Sequence, residues 1–534
     1  MKYYFLFFLL LFSAAMFSQE DAWAYFKDKP NAQTYINKPL DMLSQRSLDR
    51  RTNQNIALNT TDAPLEKSYR SQVKSSAGIT ILAQSKWLNA LHIQGTQANI
   101  RALQSLSFVD KIVFADKTLN VTAKKDAGNK MVQTRQKEAA TVDYAYGTSA
   151  GQIQMLNGQA LHQQNFTGSG KIIAVLDGGF PSVDTAEPFK RLRDNHQILG
   201  GYDFVTKSSN FYTSDDHGTM VLSTMGGYKE NALIGTAPDA SYYLFITEYD
   251  PTETPAEESY WVEAAEKADS LGVDIITTSL GYFGFDNARY SHTYSDMDGK
   301  TNFISRGAEI AFNKGIVVVA AAGNEGNNTE KHIGAPADAV SVITVGSVTS
   351  AKAKSPFSSI GPTSDNRIKP DVMAQGTAAV VSDTQGVIKT INGTSFSCPI
   401  MAGMIACLWQ AYPTKTNKEI RQMILESSDR YAAPNNNYGY GIPNFASTLG
   451  VQNFQAVSEF SVFPNPAYAT ISFLSSDENY AGLVSIYSVL GQKVIEKQVT
   501  RQNPTLSLEP LRSGLYFYTF DSESLHKTGK IIKQ

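Results

Sequence analysis

Apolar and polar positions follow each other in different patterns along this chain, and each pattern predicts a different kind of structure. From residue 144 to 449, short runs of continuous apolar character recur: KIIAVLD (171–177), SYYLFIT (241–247), VDIITTSLG (273–281) and GIVVVAAAGN (315–324). Between them the apolar spacing is helical, as over 257–271 and 302–314. A strand that is apolar at every position is buried on both faces, and strands separated by helices pair in parallel. The pattern predicts an α/β domain, a mostly parallel sheet with helices on both faces. In such sheets chemistry gathers at the carboxyl ends of the strands.

The flanks differ. Residues 78–117 read strand, strand, helix, strand, with helical spacing at Ile100, Leu103 and Leu106 and alternation at Val109, Ile112 and Phe114. A small α+β domain is therefore expected within 19–143. Its tail, TAKKDAGNKMVQTRQKEAATVD (122–143), is polar, basic and aperiodic, the signature of an exposed linker. After about residue 455, FSVFPNPAYATISFL, GLVSIYSVLGQKVIEKQV and SGLYFYTF alternate between Pro, Asn and Gly turns, which predicts a small β-sandwich over 456–534. The first 18 residues, MKYYFLFFLLLFSAAMFS, place one lysine ahead of an apolar run that ends in small residues. That is an export signal, too short and wrongly flanked to span a membrane, with cleavage expected before Gln19.

Composition adds limits. At 534 residues the chain exceeds one compact core, and 42% hydrophobic with 18% charged residues suits a globular protein. A net charge of −3 gives no sign of a nucleic-acid partner. The charge is unevenly placed: 19–143 carries 18 Lys and Arg against 12 Asp and Glu, and the rest is acidic in excess. A basic front segment can thus dock on an acidic body. The two cysteines, Cys398 and Cys407, sit about 13 Å apart on one predicted helix. That is too far for a disulfide with each other, and there is no cysteine cluster for zinc.

Candidate chemistry lies in three stretches. IIAVLDGGF ends a buried strand on Asp177 and two glycines; DDHGTMVLSTMGG places His217 at the start of a helical pattern; GTSFSCP places Ser395 at another helix start. A serine hydroxyl is a poor nucleophile until a base takes its proton, and imidazole titrates near enough to neutrality to do so. A buried carboxylate fixes the tautomer and stabilises the imidazolium. The oxyanion needs preorganised donors, and Asn324 in AAAGNEG offers a side-chain N–H to complement the backbone N–H of Ser395. Each residue alone reads as an ordinary cap or turn. Together, at matching strand ends and helix starts, they read as one site.

These motifs resemble those of the subtilisin-like serine peptidases, over about 144–449 and including FSSIGPTSDNRIKPDVMAQG (357–376). The resemblance implies a secreted serine endopeptidase with Asp177, His217 and Ser395 as triad and Asn324 as oxyanion donor. The implied reaction is acyl transfer through an ester on Ser395. It also implies that Ser279, Leu280 and Gly281 bind substrate backbone as an added strand. Ala322 and Gly323, within AAAG (320–323), would wall the primary specificity pocket. Tyr282, Phe283 and Phe285 either line an apolar subsite or pack on each other. The family commonly has methionine and alanine where Phe396 and Ser397 stand here. Residues 19–143 resemble the family's prosegment, most clearly in FVDKIVFADK, which implies a folding aid and inhibitor released by a cut around 138–146. The last region resembles the sorting domain of the type IX secretion system of Bacteroidetes, in FSVFPNPA, VSIYSVLGQKV and LRSGLYFYTF. The expected partners are peptide or protein substrates, the chain's own prosegment and that secretion machinery, for a monomer without a cofactor, with calcium left open as an alternative that no residue set identifies. SDMDGK (295–300) has the carboxylate pair of a calcium loop but not its downstream glutamate, so an Asx-turn is expected there. The alternatives are an inactive surface-binding homologue, which the complete set argues against, and an esterase. No GxSxG elbow surrounds Ser395, which counts against an esterase of the α/β-hydrolase kind.

Overall fold

The computed structural model describes residues 19–120, 144–449 and 460–534, apart from 464, 466, 476–480, 501–502 and 523–524. The export signal and the linker over 122–143 lie outside the described residues. In the front domain, strand β1 (Gln19–Phe26) leads through helices α1 (Gln45–Asn53) and α2 (Lys67–Ser75) to β2 (Ile79–Ser85). Then come β3 (Ala90–Thr96), α3 (Gln97–Ala102) and β4 (Val109–Phe114). The strands form an antiparallel sheet in the order β2-β3-β1-β4. Strand β1 shows how alternation divides the work of its two faces. Ala22, Ala24 and Phe26 join a core with Val73 and Ile100 from α2 and α3, while Trp23 and Tyr25 point away into the next domain. Sequence periodicity did not mark β1, because a strand covered on both faces and opening on buried Glu20 and Asp21 lacks the apolar–polar signature.

The next domain carries β5 (Ile172–Asp177), β6 (Ile198–Asp203), α4 (His217–Gly226), β7 (Ser241–Ile246) and α5 (Pro255–Leu271). There follow β8 (Ile275–Thr278), α6 (Phe303–Asn313), β9 (Val317–Ala321), β10 (Ile343–Val348) and β11 (Val372–Gln375). Helices α7 (Thr394–Ala411) and α8 (Asn417–Glu426) close it. Seven strands pair in the order β11-β10-β9-β8-β5-β7-β6, every neighbouring pair parallel. Ile173, Val175, Val317 and Val319 meet α4 and α7 on one face, and Ala174, Leu176, Val318 and Ala320 meet α5 and α6 on the other. Two covered faces are why these runs are apolar throughout. Helix α5 begins with a Thr254/Glu257 capping box and Pro255 in its first turn, and ends on Gly272 at φ +84. The order of strands reverses between β5 and β8, which opens a crevice at their carboxyl ends.

The front domain seats its sheet on α5 and α6. Trp23 stacks on Phe303 with ring centroids 5.3 Å apart and donates its indole N–H to Ser259 Oγ at 2.9 Å. Glu266 accepts from Ser85 Oγ (2.6 Å) and from the backbone N–H groups of Lys86 (3.0 Å) and Trp87 (2.9 Å). At the far end of α5, Arg50 and Arg51 close on the buried Asp269, and Asp62 pairs with both Arg51 and Lys314.

The chain divides into two compact units after Val451. The second holds β12 (Phe460–Phe463), β13 (Thr470–Ser475), β14 (Ala481–Ser488) and β15 (Lys493–Thr500). It continues with β16 (Thr505–Ser507), β17 (Gly514–Asp521) and β18 (His526–Lys533). Sheets β12-β13-β16 and β15-β14-β17-β18 share one core, in which Ile471 and Phe473 meet Val484, Ile486, Phe520 and Ile531. This is a small sandwich of antiparallel strands.

Candidate active site

Asp177 is the last residue of β5 and is fully buried. Its Oδ1 accepts from the Gly178 N–H at 2.8 Å and lies 2.7 Å from Nδ1 of His217, the first residue of α4. A carboxylate can only accept, so Nδ1 carries the proton and Nε2 is left as the base. A Cβ on Gly218 would sit 2.4 Å from the Gly179 carbonyl oxygen, so only glycine lets α4 start this close to the strand end. Asp215 accepts the His217 N–H at 2.8 Å, and the Phe396 ring backs the imidazole with centroids 5.8 Å apart.

Burial opposes a charge on His217, but the Asp177 carboxylate, by its charge and its hydrogen bond, and then Glu248 and Asp215 outweigh that and push the imidazole up to about 9. Glu248 is half-buried, and burial together with repulsion from Asp177, Glu253 and Glu257 pushes it up to about 9 in turn. The sequence reading passed over Glu248. Its signal was the acidic stretch EYDPTETPAEE that follows the β7 run.

Ser395 is the second residue of α7, nearly buried at 8% exposure, and its N–H at the helix start has no partner among the described residues. Its hydroxyl donates to the Ser279 carbonyl at 3.5 Å, a long and weak contact, and makes no hydrogen bond to His217 among the described residues. Ser279 Oγ donates in return to the Ser395 carbonyl at 2.8 Å. The structure thus joins the carboxylate to the imidazole and leaves the hydroxyl turned aside. Such bonds are often long in a substrate-free site and tighten when substrate binds.

Asn324 follows β9, and its Oδ1 accepts from both the N–H and the hydroxyl of Thr394 at 3.0 Å. With the oxygen held, the amide NH2 is the end left to meet a ligand. Thr394 also receives the Gly323 N–H at 3.2 Å. It is a positioning residue that sequence reasoning noticed only as a neighbour of Ser395. Ser279, Leu280, Gly281, Ala322, Gly323, Asn324 and Ser395 all line one cleft of about 590 Å³. The Gly281 main chain has no partner among the described residues, and a Cβ there would meet nothing within 4 Å. Of the three aromatics, only Phe283 lines the cleft; Tyr282 and Phe285 are buried and pack together with centroids 6.2 Å apart.

The arrangement suits proton abstraction from a serine beside two unpaired N–H donors, which is acyl-transfer chemistry. The family model described as the Subtilase family matches residues 168–441. The chain belongs to the subtilase family. A Peptidase S8 propeptide domain of Bacteroidota matches 21–134, and a secretion system C-terminal sorting domain matches 461–534. Subtilisin NAT of Bacillus subtilis subsp. natto is 33% identical over 57% of this chain and 71% of its own length. Subtilisin of Bacillus pumilus is 33% identical over 55% of this chain and 95% of its own. Among solved structures, MycP1 with its N-terminal propeptide removed is 23% identical over 58% of this chain and 98% of its own, with a TM-score of 0.43. This subtilase is a secreted serine protease made as a zymogen, and its front domain is the prosegment.

Both cysteines are free and buried, Cys398 donating to the Thr278 carbonyl. In the 295–300 loop, Asp298 accepts the N–H groups of Lys300 (2.8 Å) and Thr301 (2.7 Å), the geometry of an Asx turn. Among the described residues no cluster of three or more His, Cys, Asp or Glu is placed to hold a metal ion. No described helix is long and apolar enough to cross a membrane.

Proposed function

We propose that Asp177, His217 and Ser395 are the catalytic triad of an endopeptidase and that Asn324 with the Ser395 N–H forms its oxyanion hole. The observation that carries this is the 2.7 Å contact between buried Asp177 and His217, whose ring meets Phe396, the neighbour of the cleft-lining Ser395. The Ser395 hydroxyl leaves the Ser279 carbonyl, passes its proton to His217 Nε2 and attacks the peptide carbonyl. Asp177 stabilises the imidazolium that forms. Charge developing on the carbonyl oxygen meets the Asn324 amide and the helix start. His217 then protonates the leaving amine, and water hydrolyses the ester. Ser279, Leu280 and Gly281 hold the substrate main chain as an added strand, which the unpaired Gly281 supports. Ala322 and Gly323 wall the pocket beside the nucleophile.

The domain limits follow: signal 1–18, prosegment 19–143, peptidase 144–449 and sorting domain 456–534, the last engaging a type IX secretion machinery. The enzyme works as a monomer without cofactor. A fluorophosphonate probe tests the assignment. Labelling of Ser395 in processed protein, lost in Ser395→Ala, is expected; no labelling of correctly processed protein would identify an inactive binding homologue.

A further inference from the structure

The cleft that holds Ser395 is also lined by Glu253, Glu325 and Glu330, and among the described residues no lysine or arginine lines it. None of the three carboxylates forms an ion pair among the described residues; Glu325 accepts only from the Asn328 amide. His332, the one basic side chain on the wall among the described residues, is held below the ordinary histidine range by burial, with Glu330 and Lys331 opposing each other. Burial and the neighbouring Asp286 and Asp250 push the Glu253 carboxyl up, a strain that an arriving cation relieves. The carboxylates do not converge on one point as metal ligands would. They line the cleft, where the side chains of a bound peptide would meet them.

A second observation comes from the chain itself. Lys117, near the end of the described prosegment, donates to Asp296 at 2.6 Å and lies 3.3 Å from His292 Nδ1. The His292 N–H donates to the Phe283 carbonyl at 2.8 Å, and Phe283 lines the cleft. A prosegment lysine is thus already held by a carboxylate next to the cleft wall.

We propose that the cleft selects peptides with lysine or arginine on the acyl side of the scissile bond. This rests on Ser395 being the nucleophile. Exposed ion pairs are individually worth only a few-fold, so three carboxylates together give a preference of roughly tenfold.

The test is product mapping by mass spectrometry on a peptide library, using processed protein first labelled with a fluorophosphonate to count active sites. Lysine and arginine should exceed aspartate and glutamate roughly tenfold at one or more of the four positions before the cut, less so at high salt. Glu253→Gln, Glu325→Gln and Glu330→Gln, made singly and together, should lower that ratio, and the single variants keep the test standing if the triple one fails to fold. Protein that labels and cuts without a cationic preference, or whose glutamine variants all keep it, overturns the proposal alone. Protein that neither labels nor cuts overturns the nucleophile assignment and the proposal with it.

Discussion

At the scale of single residues, the site is a set of groups whose orientation is decided by their neighbours. Asn324 offers its amide NH2 because Thr394 occupies its oxygen twice. Asn324→Ala is expected to lower kcat on the order of 100- to 1000-fold, the scale known for loss of an oxyanion donor in a subtilisin. Thr394→Val keeps the backbone contact and removes two hydrogen bonds, the one the hydroxyl donates to Asn324 and the one it accepts from the Gly323 N–H, of which the first holds the oxyanion donor. A loss of about 1 kcal/mol, roughly fivefold in kcat with little change in KM, is expected. His217 sets the pH dependence. Its pKa is raised to about 9, so the free enzyme holds imidazolium at neutral pH and gains its base only as that proton leaves. Hence kcat/KM should rise with pH through the neutral range and level off above about 9. Asp177→Asn should move that midpoint down toward the ordinary histidine value near 6.5 and cost on the order of 10⁴ in kcat. The same raised pKa means that the His217–Asp177 pair supports folding fully below the ordinary histidine range. That support is lost as pH climbs through about 9.

Among elements, α5 carries the clearest division between what pattern reveals and what packing adds. Its helical spacing, capping box and glycine stop were all legible, because they depend on residues within one turn of each end. Its partners were not. Asp269 reads as one more polar position on a helix, yet it is fully buried because Arg50 and Arg51 reach it from a helix more than 200 residues away. Asp269→Asn leaves buried Arg50 without a carboxylate partner and Arg51 with Asp62 alone, a loss of about 3 kcal/mol or more. Inhibition of mature protease by added prosegment should therefore weaken by about 100-fold, measured as an inhibition constant. Strand β1 makes the complementary point. Its two faces are covered by different domains, so neither alternation nor composition announced it.

For the whole molecule, the split after Val451 gives the sandwich its own core and leaves the peptidase core complete without it. Truncation after residue 451 should leave the peptidase unfolding midpoint and its peptide kcat/KM unchanged while abolishing its appearance outside the cell. Calorimetry, a kinetic assay and fractionation would check these in turn. The sequence by itself determined the parallel sheet, the helices over it and the three stretches that carry Asp177, His217 and Ser395, since burial on two faces and local capping write themselves into neighbouring residues. It also marked Asn324. Only the tertiary structure decided which carboxylates face the cleft, which charges the prosegment buries, and that the Ser395 hydroxyl rests on Ser279. Those are contacts between residues far apart in the chain, and their energies depend on distance and desolvation, which no local pattern records.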